Sequence, residues 1–115
     1  MAYDPYEVVV VPFPFANGPA AKRRPALVLS DRRRFGDPVG HSVLAMVTSA
    51  RHRPWPLDTV VDDLSAAGLP VPSVVRMKLF TLDHRAIQGR LGALAPADVA
   101  RVMQALSDLL GLVSP

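Results

Sequence analysis

Apolar residues recur along this chain in short β-branched blocks, and only near the C-terminus does their spacing change to three and four. The stretch Glu7 to Phe15 reads Glu-Val-Val-Val-Val-Pro-Phe-Pro-Phe. It predicts a strand whose end, at Pro12 and Pro14, is confined to an edge or a bulge, because proline has no N–H for the ladder. Residues 16–21 contain Asn17-Gly18-Pro19, a turn signal within a loop. The continuous apolar runs Ala26 to Ser30 and Ser42 to Thr48 predict strands buried on both faces or at the centre of a small barrel. Between them lies a basic, glycine-containing loop through Arg32-Arg33-Arg34 and Gly36-Asp37-Pro38.

After the second long strand, Arg51-His52-Arg53-Pro54-Trp55-Pro56 predicts a stiff loop, because its prolines fix φ and restrict the residues before them. A short strand is expected over Leu57 to Val61. One helical turn is expected over Asp62 to Gly68, capped by the aspartates and closed by Gly68 in a left-handed conformation. Strands over Ser73 to Leu82 and Gly89 to Leu94 follow. Pro96 then suits a first helical position, and Val99, Val102, Met103, Leu106, Leu109 and Leu110 form an apolar face before Gly111 ends the run. Short strands with Pro- and Gly-rich turns, followed by one amphipathic helix, predict a mainly β fold with helical decoration, a small and strongly curved barrel.

At 115 residues the chain fits one domain, residues 1–115, with no repeat or linker. It contains no uninterrupted apolar run of about 18 residues, so no membrane span is expected. Met1-Ala2-Tyr3-Asp4-Pro5 lacks the basic start and apolar stretch of a signal peptide, which makes the cytoplasm the expected compartment. The absence of cysteine excludes disulfides and thiolate chemistry, and three scattered histidines without paired spacing argue against a structural metal, so any chemistry is expected to be metal-free or to use a loosely held ion, and no cofactor is expected.

Charge changes the picture. From Lys22 to Arg53 there are eight Lys or Arg against two acids, Asp31 and Asp37, a local net of +6. Such a patch attracts polyanions. Eleven of the thirteen cations are arginine, whose planar fork pairs with phosphate oxygens, although a GC-rich genome produces the same bias. The patch runs into one strand at Lys22-Arg23-Arg24-Pro25, and the next strand ends on adjacent hydroxyls, Thr48-Ser49. Cations and hydroxyls at the ends of two neighbouring strands point toward a phosphodiester substrate.

Four blocks resemble, in order and spacing, those of the PemK/MazF toxin family: Val10-Val11-Pro12-Phe13-Pro14-Phe15; Lys22 through Ser30; Val47-Thr48-Ser49; and Ser73-Val74-Val75-Arg76 with Thr81-Leu82-Asp83. The likeness spans roughly residues 6 to 111. It implies an SH3-like barrel, a homodimer, a ribosome-independent endoribonuclease acting on single-stranded RNA, and a cognate antitoxin. It also implies catalytic roles for Arg24 and Thr48, with Ser49 beside them and Arg76 at the position of a further arginine. Two departures stand out. Lys78 occupies a position where some members carry an acid, and Tyr6 precedes Glu7 where many have glycine. Glycine there would favour an unusual backbone angle, so the start of the first strand is expected to differ.

RNA cleavage by attack of the neighbouring 2′-hydroxyl needs a base, an acid and stabilisation of the phosphorane. Arg24 suits the last, an electrostatic effect of about 3 to 4 kcal/mol by analogy with loss of one oxyanion donor. Thr48 and Ser49 suit orientation of the phosphate; as strand-end hydroxyls they equally suit bonds to their own backbone. His52 is the candidate acid or base, its alternative being an exposed loop histidine between arginines; His41 and His84 lie in turns. RNA contacts are expected from Lys22, Arg23, Arg32, Arg33, Arg34, Arg51 and Arg53, with Trp55 as a stacking surface. Two other readings stay open: a non-catalytic relative that binds a protein target such as gyrase or only its antitoxin, and a general nucleic-acid-binding barrel. The latter would need more exposed aromatics than seven in all readily supply.

Overall fold

The β-branched block after Tyr6 forms β1 (Glu7–Phe13), and the computed structural model describes residues 3–13 and 22–112. Pro14, Phe15 and the expected turn at Asn17-Gly18-Pro19 lie outside the described residues. β2 (Lys22–Val28) begins four residues before the apolar run, because Lys22 to Pro25 pair antiparallel with Phe13 to Val10 of β1. The basic cluster is therefore strand. β3 (His41–Ser49), β4 (Thr59–Val60), β5 (Ser73–Asp83) and β6 (Gly89–Ala93) complete one antiparallel sheet in the order β4-β5-β3-β2-β1-β6. Register shifts at Val8/Val9 in the β1–β6 pair and at Ala45/Met46 in the β3–β5 pair bend the sheet toward a half-barrel.

Alternation along the central strands feeds two cores. One face carries Val8, Leu27, Ala45, Val47, Val75 and Met77; the other carries Val9, Val11, Ala26, Val28, Leu44 and Ile87. The expectation of strands buried on both faces holds for β2 beyond Pro25 and for the centre of β3. The first core is closed by a C-terminal helix and by a single helical turn, Leu64–Ala67, capped by Asp63 Oδ1 on Ala66 N and by Gly68 at φ 71. Gly68 is required twice over, since a Cβ there would also fall 2.2 Å from the Leu91 carbonyl oxygen.

Three expected elements differ. The basic loop after β2 is a π-helical turn, Arg32–Gly36, capped by Asp31 on Arg34 N, and continues as one short turn, Asp37–Val39, ended by Gly40. The strand expected over Leu57 to Val61 shrinks to two residues because Leu57 sits at φ 66 in a turn. The C-terminal helix, Pro96–Leu110, has proline in its first turn and Gly111 at its end as expected, but its buried face is narrower than the apolar spacing suggested. Val102 is buried, Val99 and Leu106 pack at the margin, and Met103, Leu109 and Leu110 are exposed. A buried acid, Asp98, takes the place of part of that apolar face; it accepts from Asp62 N at 3.1 Å and Asp63 N at 3.0 Å, and pairs with Arg101.

The start of β1 also departs from expectation. Tyr6 itself adopts the left-handed angle, φ 70, held because its N–H donates to Val28 O and its carbonyl accepts from Leu94 N. Among the described residues no helix is long and apolar enough to cross a membrane.

Candidate active site

β2 and β3 pair only over Ala26–Val28 and Leu44–Met46, although β2 extends back to Lys22 and β3 forward to Ser49. Pro25 ends the ladder, since it has no N–H to give. Beyond it the two strands separate, and continuing the register sets Arg24 across from Thr48. A cleft of about 590 Å³ opens in this splay, lined by Lys22 and Arg24 from β2, Thr48 and Ser49 from β3, Arg76 from β5, His52, and an apolar lip at Leu69–Val71.

The chain turns sharply after β3. His52 N donates to Ser49 O at 3.2 Å and Arg51 N to Ser49 Oγ at 3.3 Å. This carries His52 back onto the strand, where its Nδ1 lies 2.8 Å from Thr48 Oγ1, a hydrogen bond whose direction follows the imidazole tautomer. Among the described residues Lys22 and Arg24 form no ion pair, so their charge faces the cleft uncompensated. Hydroxyl, imidazole and guanidinium groups thus converge where a phosphate has room to sit.

Arg76 is different. Its side chain is 12% exposed and forms a fork with Asp58, Nε to Oδ1 at 3.2 Å and one terminal nitrogen to Oδ2 at 3.0 Å; that nitrogen also donates to the Arg53 carbonyl at 2.8 Å. Asp58 carried no signal in the sequence, because it sits in a turn and its partner is 18 residues away on β5. Lys78, at the position where a carboxylate was expected in some relatives, places its ammonium 5.0 Å from the Trp55 ring centroid, with Arg76 at 5.7 Å. Trp55 is exposed beside the cleft wall rather than within it.

The remaining predicted residues separate. Arg23 points away from the cleft and donates to Gln88 Oε1 at 3.0 Å. Arg51 and Arg53 are exposed on the turn that carries His52. Arg32, Arg33 and Arg34 were expected beside the groove; they lie at the opposite end of the β2–β3 hairpin, where Arg32 approaches Asp37 at 3.7 Å and Asp4 at 3.9 Å. His84 is buried with Nε2 2.8 Å from Ser42 Oγ, and His41 Nδ1 donates to Val39 O. At that same end Asp83 is held well below the usual carboxylate range by its hydrogen bonds from Arg85.

Fold and cleft together define a small antiparallel half-barrel with a cationic, hydroxyl-bearing cleft between splayed strands. The profile of the PemK-like, MazF-like toxin of type II toxin-antitoxin systems matches residues 4–110, and the chain belongs to that family. Among solved structures it is similar to MazF from Deinococcus radiodurans, at 28% identity and a TM-score of 0.74, covering 96% of this chain and 98% of that one. A MazE-MazF crystal structure from the same organism matches at 25% identity and a TM-score of 0.71, covering 96% and 97%. An endoribonuclease in complex with its cognate antitoxin, from a mycobacterial species, shares the fold at 19% identity and a TM-score of 0.74, covering 99% and 98%. No curated protein matches the chain.

Proposed function

We propose that this one-domain chain is the toxin of a type II pair and a metal-independent, sequence-specific endoribonuclease of single-stranded RNA, working as a homodimer and silenced by a cognate antitoxin. The observation that carries the reading is the convergence on one cleft of Arg24 from β2 with Thr48 and His52 from the end of β3 and the turn that leaves it. The 2′-hydroxyl attacks the adjacent phosphorus, giving a cyclic phosphate and a free 5′-hydroxyl. Arg24 stabilises the charge that grows on the phosphorane, an interaction strongest in the transition state. Thr48, with Ser49 beside it, orients the phosphate, and His52 moves a proton at Nε2 while Nδ1 engages Thr48. Arg76 adds a further guanidinium to the wall, its charge balanced by Asp58. Lys22, Arg51 and Arg53 hold the flanking phosphates, with Arg23 at the margin and Trp55 offering a stacking edge. Arg32, Arg33 and Arg34 meet RNA only where it continues past the cleft.

The presence of Lys78 where some relatives carry a carboxylate favours one second reading, a toxin-fold protein that binds a protein target or its antitoxin without catalysis. Purified wild type and Arg24→Ala, incubated with a long single-stranded RNA in EDTA and followed by mapping of fragment 5′ ends, separate the two. Cleavage at a recurrent short sequence, lost in the variant, is the expected result. Intact RNA with folded wild type moves the reading to the non-catalytic alternative.

A further inference from the structure

A guanidinium that lines a cleft with only 12% of its side chain exposed must be neutralised and held. For Arg76 the balancing charge and two of the bonds that hold it come from Asp58, which is itself 16% exposed. The same carboxylate does a second job. Asp58 Oδ2 accepts from Trp55 N at 3.0 Å, and Asp58 N donates to Trp55 O at 3.1 Å. These bonds close the four-residue turn Trp55-Pro56-Leu57-Asp58, with proline second and a positive φ third, the pattern of a type II turn. The third position normally takes glycine. Leucine at φ 66 brings its Cβ close to the following carbonyl oxygen, and such strain persists only where the surroundings over-determine it. Here they do, through Asp58 and through the Arg53 carbonyl that Arg76 also binds.

We propose that Asp58 is the positioning residue of the cleft. By gripping Arg76 on one side and the Trp55 turn on the other, it locks the cation on β5 to the loop that leaves β3, so that the wall is set before RNA arrives. It acts through Arg76 and touches no reacting atom. The inference rests on the endoribonuclease reading for its catalytic consequence, but not for its structural one.

Trp55 is the only tryptophan, so its emission reports the turn directly. The test compares wild type, Asp58→Ala, Asp58→Asn, Asp58→Glu, Arg76→Ala and the Asp58→Ala/Arg76→Ala double variant. Readouts are Trp55 emission with iodide quenching, and kcat and KM on a short fluorogenic oligoribonucleotide containing the mapped cleavage sequence. Loss of a charge-assisted fork predicts that Asp58→Ala lowers kcat/KM by about ten- to a hundredfold and makes Trp55 more accessible to iodide. Asp58→Glu is expected to recover part of both. In the Arg76→Ala background Asp58→Ala should lower kcat/KM by less than about threefold further, since its route of action is gone. Asp58→Asn keeps an acceptor for Trp55 N and serves if the alanine variant does not fold. Unchanged emission and kcat/KM in Asp58→Ala overturn the proposal, as do effects of the two substitutions that multiply in full. If wild type cleaves no RNA, the endoribonuclease reading fails while the emission series still decides whether Asp58 holds the turn, with unchanged quenching in Asp58→Ala counting against it.

Discussion

Arg24 and Tyr6 show how much a single position does in this molecule. Arg24 stands at the splay between β2 and β3 with no ion pair among the described residues, so both its charge and its fork are available to a phosphate. The two properties are separable: Arg24→Lys keeps the charge and loses the planar, two-pronged geometry. We expect Arg24→Ala to lower single-turnover cleavage by about a hundred- to a thousandfold and Arg24→Lys to recover only a minor part of that. Full recovery by lysine would show that field alone is enough. Tyr6 makes a different point, because burial pushes its phenol above the ordinary value of 10.0. A raised pKa means that the folded state holds the proton more tightly than the unfolded state. The neutral phenol's contribution is therefore fully present below about pH 10 and is lost as pH rises through the higher folded value. Urea midpoints taken upward from pH 9 should fall more steeply for wild type than for Tyr6→Phe; parallel curves would contradict the assignment.

At the level of elements, the buried carboxylate of Asp98 ties the start of the C-terminal helix to the segment between β4 and the single helical turn. It accepts from two backbone N–H groups, those of Asp62 and Asp63, and pairs with Arg101. Asp98→Ala leaves both donors unmatched and should cost about 2 to 4 kcal/mol, read as a lower urea midpoint with unchanged far-UV spectrum, whereas Asp98→Asn should cost less because one acceptor remains. Nothing in the helical spacing revealed this, since an acid in a first turn reads as an ordinary dipole partner. The same limit explains the other differences. Periodicity located the helix and all of the longer strands, but which apolar residues are buried depends on what packs against them, and Met103, Leu109 and Leu110 face outward. The basic cluster at Lys22 to Pro25 became strand because β1 pairs with it, a long-range fact absent from its own composition. That Arg24, Thr48, Ser49 and His52 lie close together was legible, because two neighbouring strands and a short loop place them. Asp58 was not, because its meaning lies wholly in its contact with Arg76.

Across the whole molecule the basic patch that looks continuous in sequence, +6 between Lys22 and Arg53, is divided by the β2–β3 hairpin into two poles. Lys22, Arg24, Arg51 and Arg53 gather at the cleft end, while Arg32, Arg33 and Arg34 lie beyond the other end of β3, whose nine residues span roughly 25 Å. Arg32 is also partly offset by Asp4 and Asp37. The two poles should therefore be distinguishable by the length of RNA that feels them. For a short oligoribonucleotide confined to the cleft, Arg51→Ala or Arg53→Ala should each flatten the dependence of log affinity on log salt by about 0.7, because each removes one phosphate contact and its released counterion. The combined replacement of Arg32, Arg33 and Arg34 by alanine should leave that short-RNA slope unchanged and reduce it only for a long single strand. Equal loss on both RNAs would mean that the distant arginines act on the cleft through the general field of the protein, in which case the effect should fade as the Debye length drops below about 10 Å above 0.1 M salt. Loss on neither would confine RNA to the cleft end of the sheet.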